Sequence, residues 1–255
     1  MREIFSVYKR IRIDSCYTLM DNNRMTISVV IPAYNEENYL PKTIASLTSL
    51  DRNPDEIIVV DGGSTDRTAE LSRKAGAKVI SVPHRGIGFA RQQGLLAAKG
   101  DIIAYTDADS IVPKDWLVKI EKALTTPGVV GVFGTFRVPD GWWLYRLYIN
   151  YLQPVFNQIY WWFGIPMAPG QNIAFIRTVG LEAGGFPVDF KIAEDIEMAK
   201  RLMTKGKVLF RQDLIVISSG RRGKEGAHLL VRVFKAFFLY FIFRKANKIG
   251  FPDIR

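Results

Sequence analysis

Cysteine is nearly absent from this sequence, and no segment has the pattern of an export signal. Cys16 is the single cysteine among 255 residues, so an intramolecular disulfide is excluded. The basic first residues are not followed by an apolar run and a small-residue cleavage site, which argues against a secretory signal peptide. These two absences predict a cytoplasmic protein.

Internal repeats and low-complexity tracts are absent too, and the composition argues against disorder. The chain is 48% hydrophobic and 24% charged, and it is long enough to bury the core of one globular domain. We expect this domain at residues 25–220. Residues 1–24 are expected to form an N-terminal extension that the fold does not need, and residues 221–255 a tail.

Acidic residues are scarce at the C-terminal end, where positive charge is concentrated. The whole chain has 35 lysines and arginines against 25 aspartates and glutamates, a net charge of +10. Residues 221–255 hold nine basic and two acidic residues, which supply +7 of that charge. Such a tail favours an anionic surface.

The same tail has the spacing of an amphipathic helix. His228, Arg232 and Lys235 form a narrow polar stripe, followed by the apolar run AFFLYFIF and a basic pair at 244–245. We expect a helix that lies in a membrane interface. The apolar run is shorter than the ~20 residues of a spanning helix, so spanning requires snorkelling, and a core or dimer helix is the other alternative.

The first half of the chain alternates short β-rich runs with longer helical stretches. Runs that are this continuously apolar are buried on both faces, as in a parallel sheet covered by crossover helices. The sequence therefore predicts a doubly wound α/β fold. The expected strands lie at 27–35, 57–61, 78–82 and 101–107, and the expected helices lie near 37–50, 65–75 and 86–98.

The second half contains fewer regular signals. A strand-like IAFI and a Gly-rich AGGFP turn precede a helix that begins near Ala193, and KVLFR at 207–211 is expected to be the final strand. In the first half, three polar clusters follow expected strands. Because ligands of such sheets gather at the carboxyl ends of the strands, we expect these clusters to converge on one edge. They are Tyr34-Asn35-Glu36, Asp61-Gly62-Gly63 and Asp107-Ala108-Asp109.

Asp107 and Asp109 are candidate metal ligands. They close an apolar strand, so the alternation of side chains along a strand places both carboxylates on one side, where they can share Mg²⁺ or Mn²⁺. A divalent ion there would bridge phosphates. The alternative is a pair of solvated acids beside a turn.

The turn at 61–64 is a candidate nucleoside site. Asp61 supplies a carboxylate at a strand end, and the following glycines allow a ligand to approach the backbone closely. The alternative is helix capping by Ser64, Thr65 and Asp66. No Gly-x-Gly-x-x-Gly follows the first strand, which disfavours a dinucleotide-binding fold.

Glu194 and Asp195 begin a helix and are candidate acid–base groups. The functional interpretation makes Asp195 a general base, with the glycine turn at 184–185 admitting an acceptor. The alternative is stabilisation of the helix N-terminus by a negative charge.

Residues 142–163 contain ten aromatic residues and one charge, Arg146. Tryptophan and tyrosine at this density are typical of a lipid headgroup boundary. An aromatic cap over the sheet or a dimer interface is the alternative.

Together, in this order and spacing, the motifs resemble the inverting family-2 glycosyltransferases of GT-A fold. The resemblance covers residues 27 to 219 or so. It is carried by VVIPAYNEENYLPKTIASL, IIVVDGGSTDRT, GFARQQGLLAAKGDIIAYTDADSIVPKDWL and GQNIAFIRTVGLEAGGFPVDFKIAEDIEMAKRL.

The resemblance implies a role for each matched residue. The residues that it implies for nucleotide-sugar binding are Ala33, Tyr34, Glu36, Asp61, Arg91, Asp107 and Ala108. Among them, Tyr34 would lie against the base, Asp61 at the base edge and Arg91 near the phosphates or ribose. The resemblance also implies that Asp109 and Asp107 bind the metal, Mg²⁺ or Mn²⁺, with Asp109 the more direct ligand. The acidic pair falls on Glu194 and Asp195, whose second member is usually the base.

One departure from the family pattern follows the last strand. The Gln-x-x-Arg-Trp motif of processive polysaccharide synthases is missing, and Ser218-Ser219-Gly220-Arg221-Arg222 stands near its place. This argues against processive polymerisation.

We therefore expect an inverting transferase that moves a sugar from a UDP- or GDP-linked donor to a lipid-linked acceptor, a polyprenyl phosphate or a glycolipid. It would act in peripheral contact with the inner face of the cell membrane, with a homodimer as an option. The alternatives are a nucleic-acid-binding protein and a non-catalytic membrane scaffold on the same fold. His84 and His228 are assigned no chemistry.

Overall fold

The computed structural model describes residues 24–190 and 192–225. Its strands are β1 (Ile27–Ala33), β2 (Glu56–Asp61), β3 (Lys78–Ser81), β4 (Ile102–Tyr105), β5 (Ser110–Ile111), β6 (Val129–Arg137), β7 (Ile173–Ile176) and β8 (Lys207–Ser218). Its α-helices are α1 (Leu40–Leu47), α2 (Thr68–Lys74), α3 (Ile87–Ala97), α4 (Trp116–Leu124), α5 (Trp143–Leu147), α6 (Gln153–Trp162), α7 (Arg177–Glu182) and α8 (Glu194–Met203).

The strands form one mixed sheet in the order β3-β2-β1-β4-β7-β6-β8-β5. The first four neighbours, β3 to β4, are parallel to one another, as the α/β pattern predicted. Strand β7 is antiparallel to both β4 and β6, while β6 and β8 run parallel. The doubly wound half therefore continues into a mixed half within a single sheet.

Helices cover both faces of the sheet, and the alternation of β1 shows why. Val29 and Ile31 pack in the core beneath α1 and α4, whereas Val30 packs in the core beneath α3 and α8. A Cβ at Gly94 of α3 would overlap the Val30 side chain, so glycine allows this helix to approach the sheet closely. Burial on both faces explains why β1 is apolar throughout.

The predicted elements of the first half are confirmed, with helices that begin a few residues later than expected. Two further predictions hold, because IAFI forms β7 and KVLFR begins β8. Strand β8 is longer than expected and runs to Ser218. The structure also adds α4, β5, β6 and α7, which the sequence pattern did not predict.

The aromatic segment forms two short helices joined by one turn of π-helix at Tyr148–Leu152. After β8, a 3₁₀ turn at Gly220–Glu225 ends the described part. The predicted tail helix lies beyond it, in residues outside the described ones. The predicted N-terminal extension also lies outside them, apart from Arg24.

Candidate active site

A cavity opens at the carboxyl ends of β1, β2 and β4. Its wall includes Gly62, from the cluster that follows β2. The predicted convergence of the three polar clusters on one edge is therefore observed. Six residues predicted to bind donor or metal line this cavity: Ala33, Tyr34, Glu36, Asp107, Ala108 and Asp109.

The loop that carries Tyr34 is held by hydrogen bonds to the loop after β2. The Asn35 N–H donates to Ser64 Oγ at 2.8 Å, and Asn35 Oδ1 accepts from the Thr65 N–H at 2.8 Å. Asn35 adopts a left-handed backbone with φ 52°, a conformation that asparagine tolerates better than most residues. These contacts position Tyr34 in the cavity wall.

Asp61 is buried beside the cavity rather than in its lining. Its Oδ1 accepts from the Ser64 N–H at 3.0 Å, which shapes the turn that leads to α2. Asp66 Oδ1 accepts from the Thr68 N–H at 2.9 Å just before α2, but the N-cap of this helix is Arg67, which makes no side-chain capping bond. A contact between Asp61 and a nucleobase stays a prediction.

His84, which sequence reasoning left without a role, lines the cavity. Its ring lies against Tyr34, with 4.0 Å between the ring centroids and 39° between the ring planes. His84 follows β3 and so reaches the same edge of the sheet as the other clusters. That position after a strand was the signal that could have found it.

Asp107 and Asp109 both line the cavity, but the strand alternation used to place them was wrong. Strand β4 ends at Tyr105. A turn follows it, in which the Ser110 N–H donates to the backbone carbonyl oxygen of Asp107. The two carboxylates therefore share the cavity because of the turn geometry. Each of them also pairs with a different arginine.

Arg91 lies behind the cavity wall and joins two of the predicted groups. Its Nη2 donates to Asp107 Oδ1 at 3.0 Å, and its Nη1 pairs with Glu194. Although burial opposes it, the negative charges of Asp107, Glu194 and Asp195 raise the pKa of Arg91. The guanidinium thus fixes Asp107, and its expected contact with donor phosphates or ribose stays a prediction.

Glu194 and Asp195 lie at the start of α8, outside the cavity lining. Asp195 accepts from the Gly170 N–H and the Ile196 N–H, each at 2.8 Å. Burial raises the pKa of Glu194 to about 7, and the charge of Asp195 adds to the rise while Arg91 opposes it. Burial raises the pKa of Asp195 too, against the influence of Arg91. Glu194 is therefore a buried acid, and the neighbouring Asp195 is half-buried.

Arg221 is the second site residue that sequence reasoning missed. Its side chain enters the cavity from the 3₁₀ turn and pairs with Glu36 and Asp109. The departure at 218–222 from the processive family pattern marked this segment as unusual. The partners could not be inferred, because Arg221 and Glu36 are 185 residues apart.

The acidic residues of the cavity fit a hard divalent cation. Two carboxylates, Asp107 and Asp109, face it from one turn, and a guanidinium already lies against Asp109. Within the described ranges there is no group of three or more acids, histidines or cysteines arranged to hold a metal. Such a pair suits Mg²⁺ or Mn²⁺ completed by water and substrate phosphates.

The aromatic segment borders the cavity and exposes Trp143, Tyr151, Trp162 and Phe163, which together are called the aromatic face. Tyr145 of α5 lines the cavity, while Trp162 and Phe163 at the far end of the segment are 74% and 77% exposed. Exposed apolar faces of this kind mark interaction surfaces. Across residues 24–190 and 192–225, none of the helices has the length and hydropathy needed to cross a bilayer.

Comparisons with curated proteins identify the relatives of this chain. Glucosyl-3-phosphoglycerate synthase of Mycolicibacterium paratuberculosis is 41% identical over 125 residues, which are 45% of this chain and 38% of that protein. The probable glycosyltransferase YdaM of Bacillus subtilis is 31% identical over 71% of this chain and 47% of its own length. The dolichyl-phosphate hexose transferase of Haloferax volcanii is 36% identical over 36% of this chain and 40% of its own length. The matches therefore span less than half of each relative.

Solved structures share the architecture. A mannosyltransferase from Pyrobaculum calidifontis, in complex with GDP-mannose and Mn²⁺, aligns over 99% of this chain and 78% of its own, with a TM-score of 0.67 and 23% identity. Glucosyl-3-phosphoglycerate synthase from Mycobacterium tuberculosis, in complex with Mn²⁺, UDP and glucosyl-3-phosphoglycerate, aligns over 89% of this chain and 82% of its own, with a TM-score of 0.61 and 25% identity. These likenesses confirm the predicted GT-A fold.

The family itself is established by its sequence model. The model described as glycosyl transferase family 2 matches residues 28–196, which is more than half of the chain. The matched stretch contains the cavity residues from Ala33 to Asp109 and the acidic pair at 194–195. This chain therefore belongs to glycosyl transferase family 2.

Proposed function

We propose that the protein transfers a sugar, with inversion, from a nucleotide-diphosphate donor to a lipid-linked acceptor at the cytoplasmic face of a membrane. The observation that carries the transferase part is the shared cavity of Tyr34, Asp107 and Asp109 in a family 2 chain. Relatives whose names describe hexose transfer, and neighbours that bind GDP-mannose or UDP with Mn²⁺, support it.

Different residues of the cavity would bind different parts of the donor. The Tyr34 ring offers a flat apolar face for the nucleobase, with His84 beside it. Asp107 and Asp109 would hold Mg²⁺ or Mn²⁺, which supplies positive charge for the leaving diphosphate. Arg91 keeps Asp107 in place from behind.

The position of Asp195 favours an acceptor that is already ionised. Both of its oxygens accept backbone N–H groups, and it lies outside the cavity lining. A hydroxyl acceptor needs a base to take its proton, whereas a phosphate acceptor, with a second pKa near ~6, is mostly ionised at neutral pH. A phosphate oxygen can attack the anomeric carbon directly while the bond to the donor diphosphate breaks, and the nucleoside diphosphate leaves with that electron pair.

The aromatic face supports a lipid-linked form of this acceptor. It begins at the cavity with Tyr145 and exposes Trp143 and Tyr151 by 64% and 69%. Tryptophan and tyrosine favour the headgroup boundary, so a membrane lying on this face would bring a polyprenyl phosphate to the cavity. The basic tail at 221–255 would add attraction to anionic lipids.

A hydrolysis panel tests the transferase proposal without knowledge of the acceptor. The full chain is incubated with UDP- and GDP-linked hexoses and with Mg²⁺ or Mn²⁺, and released nucleoside diphosphate is measured. We expect slow, metal-dependent hydrolysis of at least one donor, reduced on the order of 100-fold in Asp109→Asn because charge stabilisation at the diphosphate is lost.

Asp115→Asn is the control, because Asp115 is an exposed acid paired with Lys119 away from the cavity. It should hydrolyse the donor at the wild-type rate. Hydrolysis that is unaffected by Asp109→Asn, or absent with every donor and both metals, would refute the transferase proposal.

Vesicle flotation tests the membrane part separately. We expect the full chain to float with anionic vesicles, and the double variant Trp162→Ser, Phe163→Ser to float less because two exposed rings are removed. Val118→Ser, on α4, is the matched control for an exposed apolar residue elsewhere. A double variant that floats as well as wild type would remove the aromatic face from the proposal, and loss of residues 221–255 without loss of flotation would remove the tail.

A further inference from the structure

We infer that Arg221 is an exchangeable cation of the donor site. In the structure it neutralises Glu36 and Asp109, and it would transfer to the donor diphosphate when a metal ion binds Asp109. The inference rests on the proposed function of this cavity. It adds a donor-binding residue from the C-terminal turn. It also implies that the metal binds weakly until a donor diphosphate is present to receive Arg221.

The contacts of Arg221 define a cation position in the cavity wall. Nη1 and Nη2 donate to the two carboxylate oxygens of Glu36 at 2.9 and 2.5 Å, respectively. This is the bidentate geometry that a planar guanidinium favours. Nε lies 3.2 Å from Asp109 Oδ2, and Cζ lies 4.9 Å from the centre of the Tyr39 ring. Arg221 therefore satisfies two acids that lie on different loops.

A metal ion at Asp109 would compete with the Arg221 guanidinium for the same carboxylate. The ion would bring two positive charges to the carboxylate that the guanidinium now contacts, and like charges at such short distances repel each other. With no anion to receive Arg221, the guanidinium competes with the metal and weakens its binding. A donor diphosphate removes that competition, because the same planar guanidinium can bind phosphate oxygens.

The location of Arg221 allows it to move between these partners. It lies in a six-residue 3₁₀ turn that begins one residue after the end of β8, and it lines the cavity. The turn is anchored one residue earlier, where the Gly220 N–H donates to Asp140 Oδ1 at 2.7 Å. The anchor keeps the backbone in place, so the long side chain alone can carry the charge from Asp109 to a diphosphate in the same cavity.

A static ion pair makes a different prediction from an exchangeable one. If Arg221 only stabilises the loops, its removal disorders Asp109 and weakens the binding of metal and of donor alike. If it exchanges, its removal strengthens the binding of metal alone and weakens the binding of nucleoside diphosphate in the presence of metal. Opposite signs of the two effects therefore exclude a role that is limited to stabilising the loops.

Binding measurements on the full chain distinguish these outcomes without any turnover. Mn²⁺ binding is followed by the electron paramagnetic resonance of free Mn²⁺, and UDP and GDP binding by calorimetry at saturating Mn²⁺. We expect Arg221→Gln to bind Mn²⁺ alone at least about threefold more tightly, since a competing charge is removed. We expect it to bind the preferred nucleoside diphosphate at least about tenfold more weakly, since a charged phosphate contact is lost.

Two further variants keep the test sharp. Arg67→Gln removes a comparable cation that pairs with Glu37, the neighbour of Glu36, and should leave both affinities within about twofold of wild type, as expected for an exposed pair. Arg221→Lys retains the charge and should restore the wild-type Mn²⁺ affinity. Thermal unfolding of each variant identifies loss of fold.

Several results would overturn the inference. Mn²⁺ affinity that is unchanged or weaker in folded Arg221→Gln contradicts the competition, and unchanged nucleoside diphosphate affinity contradicts the transfer. If wild type binds nucleoside diphosphate with Mn²⁺, and Arg221→Gln has the same affinities as wild type for Mn²⁺ and for nucleoside diphosphate, only this inference fails. If wild type binds neither Mn²⁺ nor any nucleoside diphosphate, the proposed function fails with it.

Discussion

Two arginines lie on opposite sides of the turn at 107–109, and each bridges two carboxylates. Arg91, whose side chain is 3% exposed, joins Asp107 to Glu194 in the interior, whereas Arg221, at 16%, joins Asp109 to Glu36 at the cavity wall. Opening a buried pair leaves unpaired charge where water cannot reach, but a pair at a cavity can exchange its partner for a ligand. Similar contacts thus support a fixed role for Arg91 and an exchangeable one for Arg221.

Removal of each arginine tests this comparison most directly. We expect Arg91→Met to lower the free energy of unfolding by about 3–5 kcal/mol, because Glu194 and Asp107 lose a buried counter-charge. Arg221→Met should cost no more than about 2 kcal/mol, because water entering the cavity can solvate the acids. Urea denaturation at pH 7 measures both. Equal losses would contradict the distinction between the interior and the cavity side.

A smaller effect is expected from crowding Arg91 without removing it. A Cβ at Gly170 would overlap the Arg91 guanidinium, which two ion pairs prevent from moving away. We expect Gly170→Ala to lower the free energy of unfolding by about 1–3 kcal/mol, as for an overpacked core position.

Gly62→Ala is the control, because its Cβ would lie 3.5 Å from the nearest atom, an ordinary contact. It should change the free energy of unfolding by no more than about 1 kcal/mol. If Gly170→Ala is equally mild, then Arg91 is free to shift and its side of the turn is less rigid than the structure indicates.

A pH dependence is also expected on the Arg91 side of the turn. Since the pKa of Glu194 is raised from 4.5 to about 7, the folded protein holds a proton that the unfolded chain has lost. The stability from this group is complete below pH 4.5 and disappears as the pH rises to about 7. Unfolding of wild type and Glu194→Gln between pH 5 and 8 should therefore show the variant gaining relative stability as the pH rises.

Asp213→Asn provides the matched control at the surface. Its pKa is lowered by the hydrogen bonds from Arg211, so its contribution to stability is present above pH 4 and is lost only as the pH falls further. The difference between Asp213→Asn and wild type should be constant from pH 5 to 8. A Glu194→Gln difference that is equally constant would show that Glu194 is ionised throughout this range.

The early strands and the edge that carries the site could be predicted because their signals are local. An apolar run followed by a polar cluster occurs at β1, β2 and β4, and parallel strands bring such ends together. Strand β6 and helix α4 were missed although β6 is largely buried. The family motif that contains the two acids ends at Leu117, in the first turn of α4, and no quoted motif covers β6.

The placement of Asp107 and Asp109 illustrates a correct result from an incorrect argument. Two acids separated by one residue share a side of a strand, yet β4 stops at Tyr105 and a turn carries them. The cavity contains both because the turn folds over its edge. Spacing alone could not distinguish these geometries, since strand ends depend on pairing with distant segments.

What the sequence determined by itself was the order of strands and polar clusters, and with it the family and the edge of the sheet where chemistry is expected. These features follow from short-range patterns of burial and turn formation. Only the tertiary structure decided that Arg91 lies between Asp107 and Glu194 and that Arg221 reaches Glu36 across 185 residues of chain. A charged side chain carries no mark of its partner in the sequence, because the pairing depends on which distant segments the fold brings within a few ångströms.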